Sequence, residues 1–228
     1  MSFPGFDTGV YPGDAQMAAG KANLPFVFCG YYLKSPCHGG ASWMGKRASL
    51  VAMGWNCLII YVGRQAPGAS PCGQANLTTA QGVVDGIDAA QKTLGEGFPN
   101  GSYVYLDVEA VDPTNPNLQA LKDYAQAWVG QMLGSNYRPA IYCHRKNAAV
   151  MQQVVADAGG GPDVRFWVVG SGAAPFSLAA EPSDSGIAFA TAWQNPVSTT
   201  QTFGAVSVNI DEDVASFEDP SAPPQVVT

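Results

Sequence analysis

The stretch Gly101–Ala110, GSYVYLDVEA, decides how the chain is read. Side chains alternate along a strand with period two, so Tyr103, Tyr105, Asp107 and Glu109 share one face and Val104, Leu106 and Val108 the other. The segment reads as buried until its end, where two carboxylates stand on the same face. Only 13% of the residues are charged, so placing two of them there calls for a reason.

Outward from this strand, short β-rich apolar runs recur along the chain, flanked by Gly, Pro, Asn and Ser. The pattern predicts strands at Gly5–Asp7, Phe26–Tyr31, Cys57–Val62, Tyr103–Val108, Ala140–His144, Phe166–Val169, Phe189–Trp193 and Val206–Ile210. Helical patterns lie between the first six: DAQMAAGKAN, SWMGKRASLVAM, TTAQGVVDGIDAAQKTL, NLQALKDYAQAWVGQML and NAAVMQQVVADAG. The third has Val83, Val84, Ile87 and Ala90 at helical spacing, with Thr78 or Thr79 as N-cap. Segments 171–187 and 195–204 are rich in Ser, Gly, Pro and Thr and read as loops.

Alternating βα units imply a parallel sheet with right-handed crossovers, and eight strands favour closure into a barrel. The fold class is therefore α/β: an irregular TIM-like barrel, about five βα units followed by three strands joined by loops. One barrel domain spans residues 1–218, and 219–228 (DPSAPPQVVT) read as a flexible C-terminal tail. Sites in such barrels lie at the C-terminal ends of the strands.

Composition narrows the partners. The 228 residues carry a net charge of −7, which argues against nucleic acid, because a phosphate backbone calls for basic patches. Five Trp, nine Tyr and ten Phe suffice for sugar-stacking surfaces, although most are expected in the core. No apolar run reaches the ~18–20 residues of a transmembrane segment, and MSFPGFDTGV shows no basic and apolar signal pattern. Cys29, Cys57 and Cys143 lie in apolar runs and read as small buried hydrophobes. Cys37 and Cys72 lie in loops; if those loops are neighbours, a disulfide and an oxidising destination follow, and otherwise both are free thiols.

The strand ends supply the polar residues of one mouth. They are Asp7; Tyr61 and Arg64; Asp107 and Glu109; Tyr142 and His144; Trp167; Trp193 and Gln194; and Asp211 and Asp213. Acids thus recur on strands one, four and eight, and burying carboxylates is costly unless they are paired. The structural alternative makes Asp7, Asp211 and Asp213 loop caps and pairs Arg64 with Glu109. Clustered carboxylates without a metal motif suit glycosidic cleavage, where one acid protonates the leaving oxygen and another stabilises positive charge or activates water. In this reading Glu109 is the acid and Asp107 the stabiliser. Residues i and i+2 on a strand lie roughly 6.5–7 Å apart, which fits either retention or inversion. No P-loop, dinucleotide fingerprint, nucleophile elbow or H-E-x-x-H is present, and His38 and His144 are too few for most metal sites, so no cofactor and no metal are expected, a carboxylate-only divalent site being the alternative.

The ordered set FDTGVYPG, FVFCGYY, IIYVG, YLDVEA, AIYCHR, FWVVGSG, TAWQN and VNIDEDVA resembles the bacterial glycoside-hydrolase-like barrel domain. That domain is in turn similar to the lysozymes of glycoside hydrolase family 25. The resemblance implies Glu109, Asp107, Asp7 and Asp211 as the catalytic set, and Tyr142 and Trp193 as mouth-lining aromatics. Tyr61, Arg64, Trp167, Gln194 and Asp213 complete the expected substrate contacts. It implies a muramidase-like activity on peptidoglycan or a related cell-envelope glycan, in a bacterial, extracytoplasmic protein. The protein is expected to be a monomer or part of a larger chain. One departure stands out: the family's Y-x-F element appears as IIYVGRQ, bringing Arg64 to the mouth. The alternative function is a non-catalytic glycan-binding or cell-envelope module that keeps the cleft.

Overall fold

A computed structural model of the chain describes residues 1–66, 72, 76–108 and 117–224. Seven strands run parallel, each beside the next: β1 (Phe3–Asp7), β2 (Phe28–Tyr32), β3 (Asn56–Val62), β4 (Tyr103–Val108), β5 (Arg138–His144), β6 (Arg165–Val169) and β7 (Ala192–Gln194). β8 (Thr199–Phe203) and β9 (Val206–Ala215) form a hairpin, and β9 pairs antiparallel with both β7 and β1. The barrel therefore closes with eight strands, β1 to β7 and β9, while β8 lies outside it.

Five helices follow the first five strands: α1 (Asp14–Asn23), α2 (Arg47–Ala52), α3 (Thr79–Gly95), α4 (Leu118–Leu133) and α5 (Ala148–Asp157). The irregular TIM-like barrel expected from the strand and helix patterns is the observed fold. Two details differ. The last barrel strand is antiparallel, and residues 199–203, read as loop, form β8. The cause is local: Gly204, at φ 66°, lets the chain reverse at once, and a tight turn joins only antiparallel strands.

The side chains divide between two cores. Phe28, Leu58, Ile60, Val62, Tyr103, Tyr105, Ala140, Trp167, Ala192 and Ala215 fill the barrel interior. A larger layer packs between the barrel and the helices, including Val104, Leu106 and Val108 from the other face of β4. The period-two reading of β4 thus holds on both faces.

On α3 the expected apolar face is inverted. Val83, Val84 and Ile87 are exposed, while Gly82, Asp85, Gly86, Ala89 and Thr93 are buried. The small residues allow close approach of α4: a Cβ at Gly82 would lie 2.3 Å from the Tyr124 carbonyl oxygen. Thr78 is the N-cap, accepting from the Gln81 N–H at 3.1 Å.

The base of the barrel is closed by residues read as tail. The Ile59 N–H donates to Ser221 Oγ at 2.8 Å, and Arg165 Nη1 and Tyr105 OH donate to the Pro220 carbonyl at 2.6 and 3.0 Å. The Arg165 guanidinium lies between the rings of Tyr103 and Phe217, 3.9 Å from each centroid. The packed structure therefore continues past 218, because Pro220 and Ser221 satisfy barrel donors that would otherwise be buried alone. Residues 225–228 lie outside the described residues. No helix among the described residues is long and apolar enough to cross a membrane.

Candidate functional site at the barrel mouth

Asp7 ends β1 and points inward, because Gly5 and Asp7 share the interior parity. It stands against Gly30, where a Cβ would come within 2.6 Å of the Asp7 Cβ; only glycine leaves that space open. Asp7 is 3% exposed, and both its oxygens are engaged. Tyr32 OH donates to Oδ1 at 2.5 Å and Gln194 Nε2 to Oδ2 at 2.6 Å. Gln194 Oε1 in turn accepts from Tyr142 OH at 2.6 Å, which fixes the orientation of the amide. The Tyr142 ring lies 4.2 Å from that of Trp167, whose Nε1 donates to Asp213 Oδ1 at 2.9 Å. Six residues on β1, β2, β5, β6, β7 and β9 thus form one polar network across the mouth.

Burial governs its electrostatics. Desolvation, and then the charge of Asp211, push the Asp7 carboxyl up to about 7. Desolvation and then Asp7 hold Asp213 well above the usual carboxylate range. Tyr32 is raised by burial and by Asp7. A network of this kind holds a proton or a charge near neutral pH, as acid–base chemistry requires.

Asp107, the last interior-facing residue of β4, is 8% exposed. Its carbonyl accepts from Gly63 N–H and from Gln65 Nε2, each at 3.0 Å, so the β3–β4 rim is tied together. Asp211 pairs with Asp7 in register across the β1–β9 seam, is half-buried, and accepts from Ser198 Oγ. Asp7, Asp107, Asp211 and Asp213 therefore gather at one end of the barrel. Glu109 lies outside the described residues.

Three expected contacts sit elsewhere. Tyr61 faces outward, since Ile60 and Val62 take the interior; its OH donates to Asp88 of α3 at 2.8 Å. Trp193 also faces outward, between inward Ala192 and Gln194, and its Nε1 donates to the Gly170 carbonyl at 2.9 Å. Arg64 is held by Asp85 of α3, with Nε 2.8 Å from Oδ2, in the layer outside the barrel. Gln81 and Tyr124 donate to the same carboxylate. Two more are at the mouth but sealed: Trp167 is 1% and Asp213 0% exposed, so they support the surface rather than form it. Tyr142 is the half-buried aromatic that remains open to a ligand.

Two residues of the site escaped the sequence reading. Tyr32 belongs to β2, one residue past the predicted strand end; the parity Phe28, Gly30, Tyr32 places it inside. His38 tilts over Tyr32, ring centroids 4.8 Å apart, and burial lowers its pKa. Its position is set by a Cys37–Cys72 disulfide with Cα atoms 5.5 Å apart, so the two loops are neighbours. Among the described residues, no three or more His, Cys, Asp or Glu side chains are grouped to hold a metal ion.

The family model of the Rv2525c-like, glycoside hydrolase-like domain matches residues 19–215. No curated protein matches. Among solved structures, the spore cortex lytic enzyme SleM of Clostridium perfringens aligns with TM-score 0.62 at 15% identity, over 94% of this chain and 67% of that one. The Tat-secreted protein Rv2525c of Mycobacterium tuberculosis aligns with TM-score 0.54 at 16% identity, over 92% and 93%. The catalytic domain of endolysin ply40, from bacteriophage P40 of Listeria monocytogenes, aligns with TM-score 0.53 at 15% identity, over 95% and 94%. At these identities the likeness is one of fold.

Proposed function

The chain belongs to the Rv2525c-like, glycoside hydrolase-like domain family, and on that premise we propose that it is a cell-envelope glycoside hydrolase, cleaving peptidoglycan or a related polysaccharide at the barrel mouth. The observation that carries this reading is the gathering of Asp7, Asp107, Asp211 and Asp213 at one end of the barrel, beside the half-buried ring of Tyr142. Nothing in folding calls for four acids there.

In this reading Glu109 protonates the leaving oxygen, and Asp107 stabilises the oxocarbenium-like centre or orients water. Asp211 flanks the sugar, Tyr142 stacks on it, and Asp7 with Gln194 fixes the Tyr142 hydroxyl. SleM as a lytic enzyme and ply40 as an endolysin support a wall glycan as substrate. The disulfide, and the secretion of Rv2525c, support an extracytoplasmic location.

The deciding experiment is muropeptide release from purified walls by wild type beside Glu109→Gln. Release by wild type that falls at least ~10²-fold in the variant is the expected result, from loss of the general acid. No release across several walls sinks the hydrolase, and release that survives the substitution sinks the role of Glu109.

A second reading, a glycan-binding module without turnover, is favoured by one observation. Both oxygens of Asp7 are already occupied by Tyr32 and Gln194, as befits a structural acid. Saturable wall binding without released muropeptides would decide for it.

A further inference from the structure

Three donors converge on the two most buried carboxyls of the mouth. Tyr32 OH and Gln194 Nε2 reach the two oxygens of Asp7, and Trp167 Nε1 reaches Asp213 Oδ1. The fourth oxygen, Asp213 Oδ2, is buried and receives no donor among the described residues. Strand register explains how the two acids meet. Asp213 stands opposite Gly5, one interior position below Asp7, and diagonal neighbours across an antiparallel pair are within reach of each other. Gly5 offers no side chain to separate them, and the charge of Asp7 helps to raise the Asp213 carboxyl.

This arrangement says where a proton must sit. Two ionised carboxylates side by side in a dry pocket repel each other, and each lacks hydration. A proton on Asp7 would compete with donors that already occupy both its oxygens. One of these cannot turn, because the Gln194 amide is held by Tyr142 at its other end. Asp213 Oδ2 is the one oxygen of the four that a proton can take without displacing a donor.

We propose that Asp213 carries its proton on Oδ2 and donates it to Asp7, making the two carboxyls a proton-sharing pair and Asp213 the positioning residue of Asp7. The titratable groups around the pair are Asp211 on β9 and Tyr32 on β2, with Asp107, Tyr142 and His38 close to Tyr32. The polar network then runs from Trp167 through Asp213, Asp7 and Gln194 to Tyr142, with one Asp7 oxygen accepting a second donor on its remaining lone pair. The relevance to sugar recognition rests on the reading above, since Gln194 and Tyr142 would carry the orientation to the ligand. The proton itself does not depend on that reading.

The test is the pH dependence of stability, by urea unfolding followed through Trp fluorescence, for wild type and Asp213→Asn. Asn keeps an oxygen for Trp167 and an N–H for Asp7 but cannot ionise. A folded carboxyl with a raised pKa holds its proton where the unfolded one has lost it, so stability falls as pH rises until the folded group ionises too. From pH 7 to 8.5, above the ionisation of Asp7, wild type should lose about tenfold in the folding constant per pH unit relative to Asp213→Asn. Parallel profiles would overturn the proposal. If the variant does not fold, the assigned ¹³Cγ resonance of Asp213 in wild type at pH 7.5 decides. A protonated-acid shift is expected, and a carboxylate shift would overturn it. Both readouts need no glycan, so failure here is distinct from failure of the hydrolase reading.

Discussion

Asp7 and Gln194, 187 positions apart in the chain, meet at 2.6 Å through Oδ2 and Nε2 inside the barrel wall. That contact joins the first strand to the seventh across the strand that closes the barrel, so the mouth forms only when the barrel is complete. Gln194→Ala would remove a donor from Asp7 Oδ2 and the amide oxygen that accepts from the Tyr142 hydroxyl. A loss of roughly 1–3 kcal/mol is expected, from stranding buried polar groups. Urea unfolding measures it, and a neutral result would show that Tyr142 and Asp7 find water instead.

Gly30→Ala tests how tightly Asp7 is seated. The new methyl would fall 2.6 Å from the Asp7 Cβ and 3.0 Å from Ile60 Cδ1, both inside the barrel. Overpacking of this kind costs roughly 1–3 kcal/mol. The accompanying displacement of Asp7 should weaken glycan binding or turnover more than Gly54→Ala, at the opposite end of the barrel, when both are compared per folded molecule.

Arg64 and Asp85 predict a structural phenotype. Asp85 is 3% exposed, and removal of Arg64 leaves its carboxylate to Gln81 and Tyr124 alone. Arg64→Ala should cost roughly 3 kcal/mol, the low end for a broken buried pair because the Arg64 side chain keeps some water contact. Thermal unfolding reads the loss, and muropeptide release per folded molecule should be unchanged. A fall in release with intact stability would return Arg64 to the mouth.

The Cys37–Cys72 bridge closes a loop with a sequence separation of 35 residues. In the chain-entropy picture such a crosslink contributes roughly 3–4 kcal/mol. Cys37→Ser with Cys72→Ser should therefore lower the unfolding midpoint. It should also free the turn that carries His38 over Tyr32, raising the exchange rates of the amides of residues 35, 37 and 38. Equal midpoints for oxidised and reduced wild type would argue against the bridge.

How far the sequence could be read follows from parity and size. β4 was legible because its interior and exterior residues alternate without interruption, Tyr103 and Tyr105 against Val104, Leu106 and Val108. The same rule excludes Tyr61 and Trp193 from the mouth once their neighbours are placed inside: adjacent residues such as Trp193 and Gln194 cannot both face one side. Their aromatic character drew them into the site; their register keeps them out of it. Arg64 was misjudged because its partner lies 21 residues on, in a helix, and no local pattern announces Asp85. On α3, apolarity pointed to the wrong face, because what α4 requires there is small volume at Gly82 and Gly86 rather than hydrophobicity. Asp213 was legible as an acid of the last strand, but its depth was not, since depth depends on the β1–β9 register.

The base of the barrel bears on how this domain is handled as an object. Pro220 and Ser221 follow the last strand, yet they supply the acceptors for Arg165, Tyr105 and Ile59. A boundary drawn where strand content stops, after Ala215, would cut away the keystone and leave the Arg165 guanidinium without Phe217 on one of its faces. The smallest transplantable piece of this chain is therefore longer than its barrel, and a fusion partner belongs beyond Ala222.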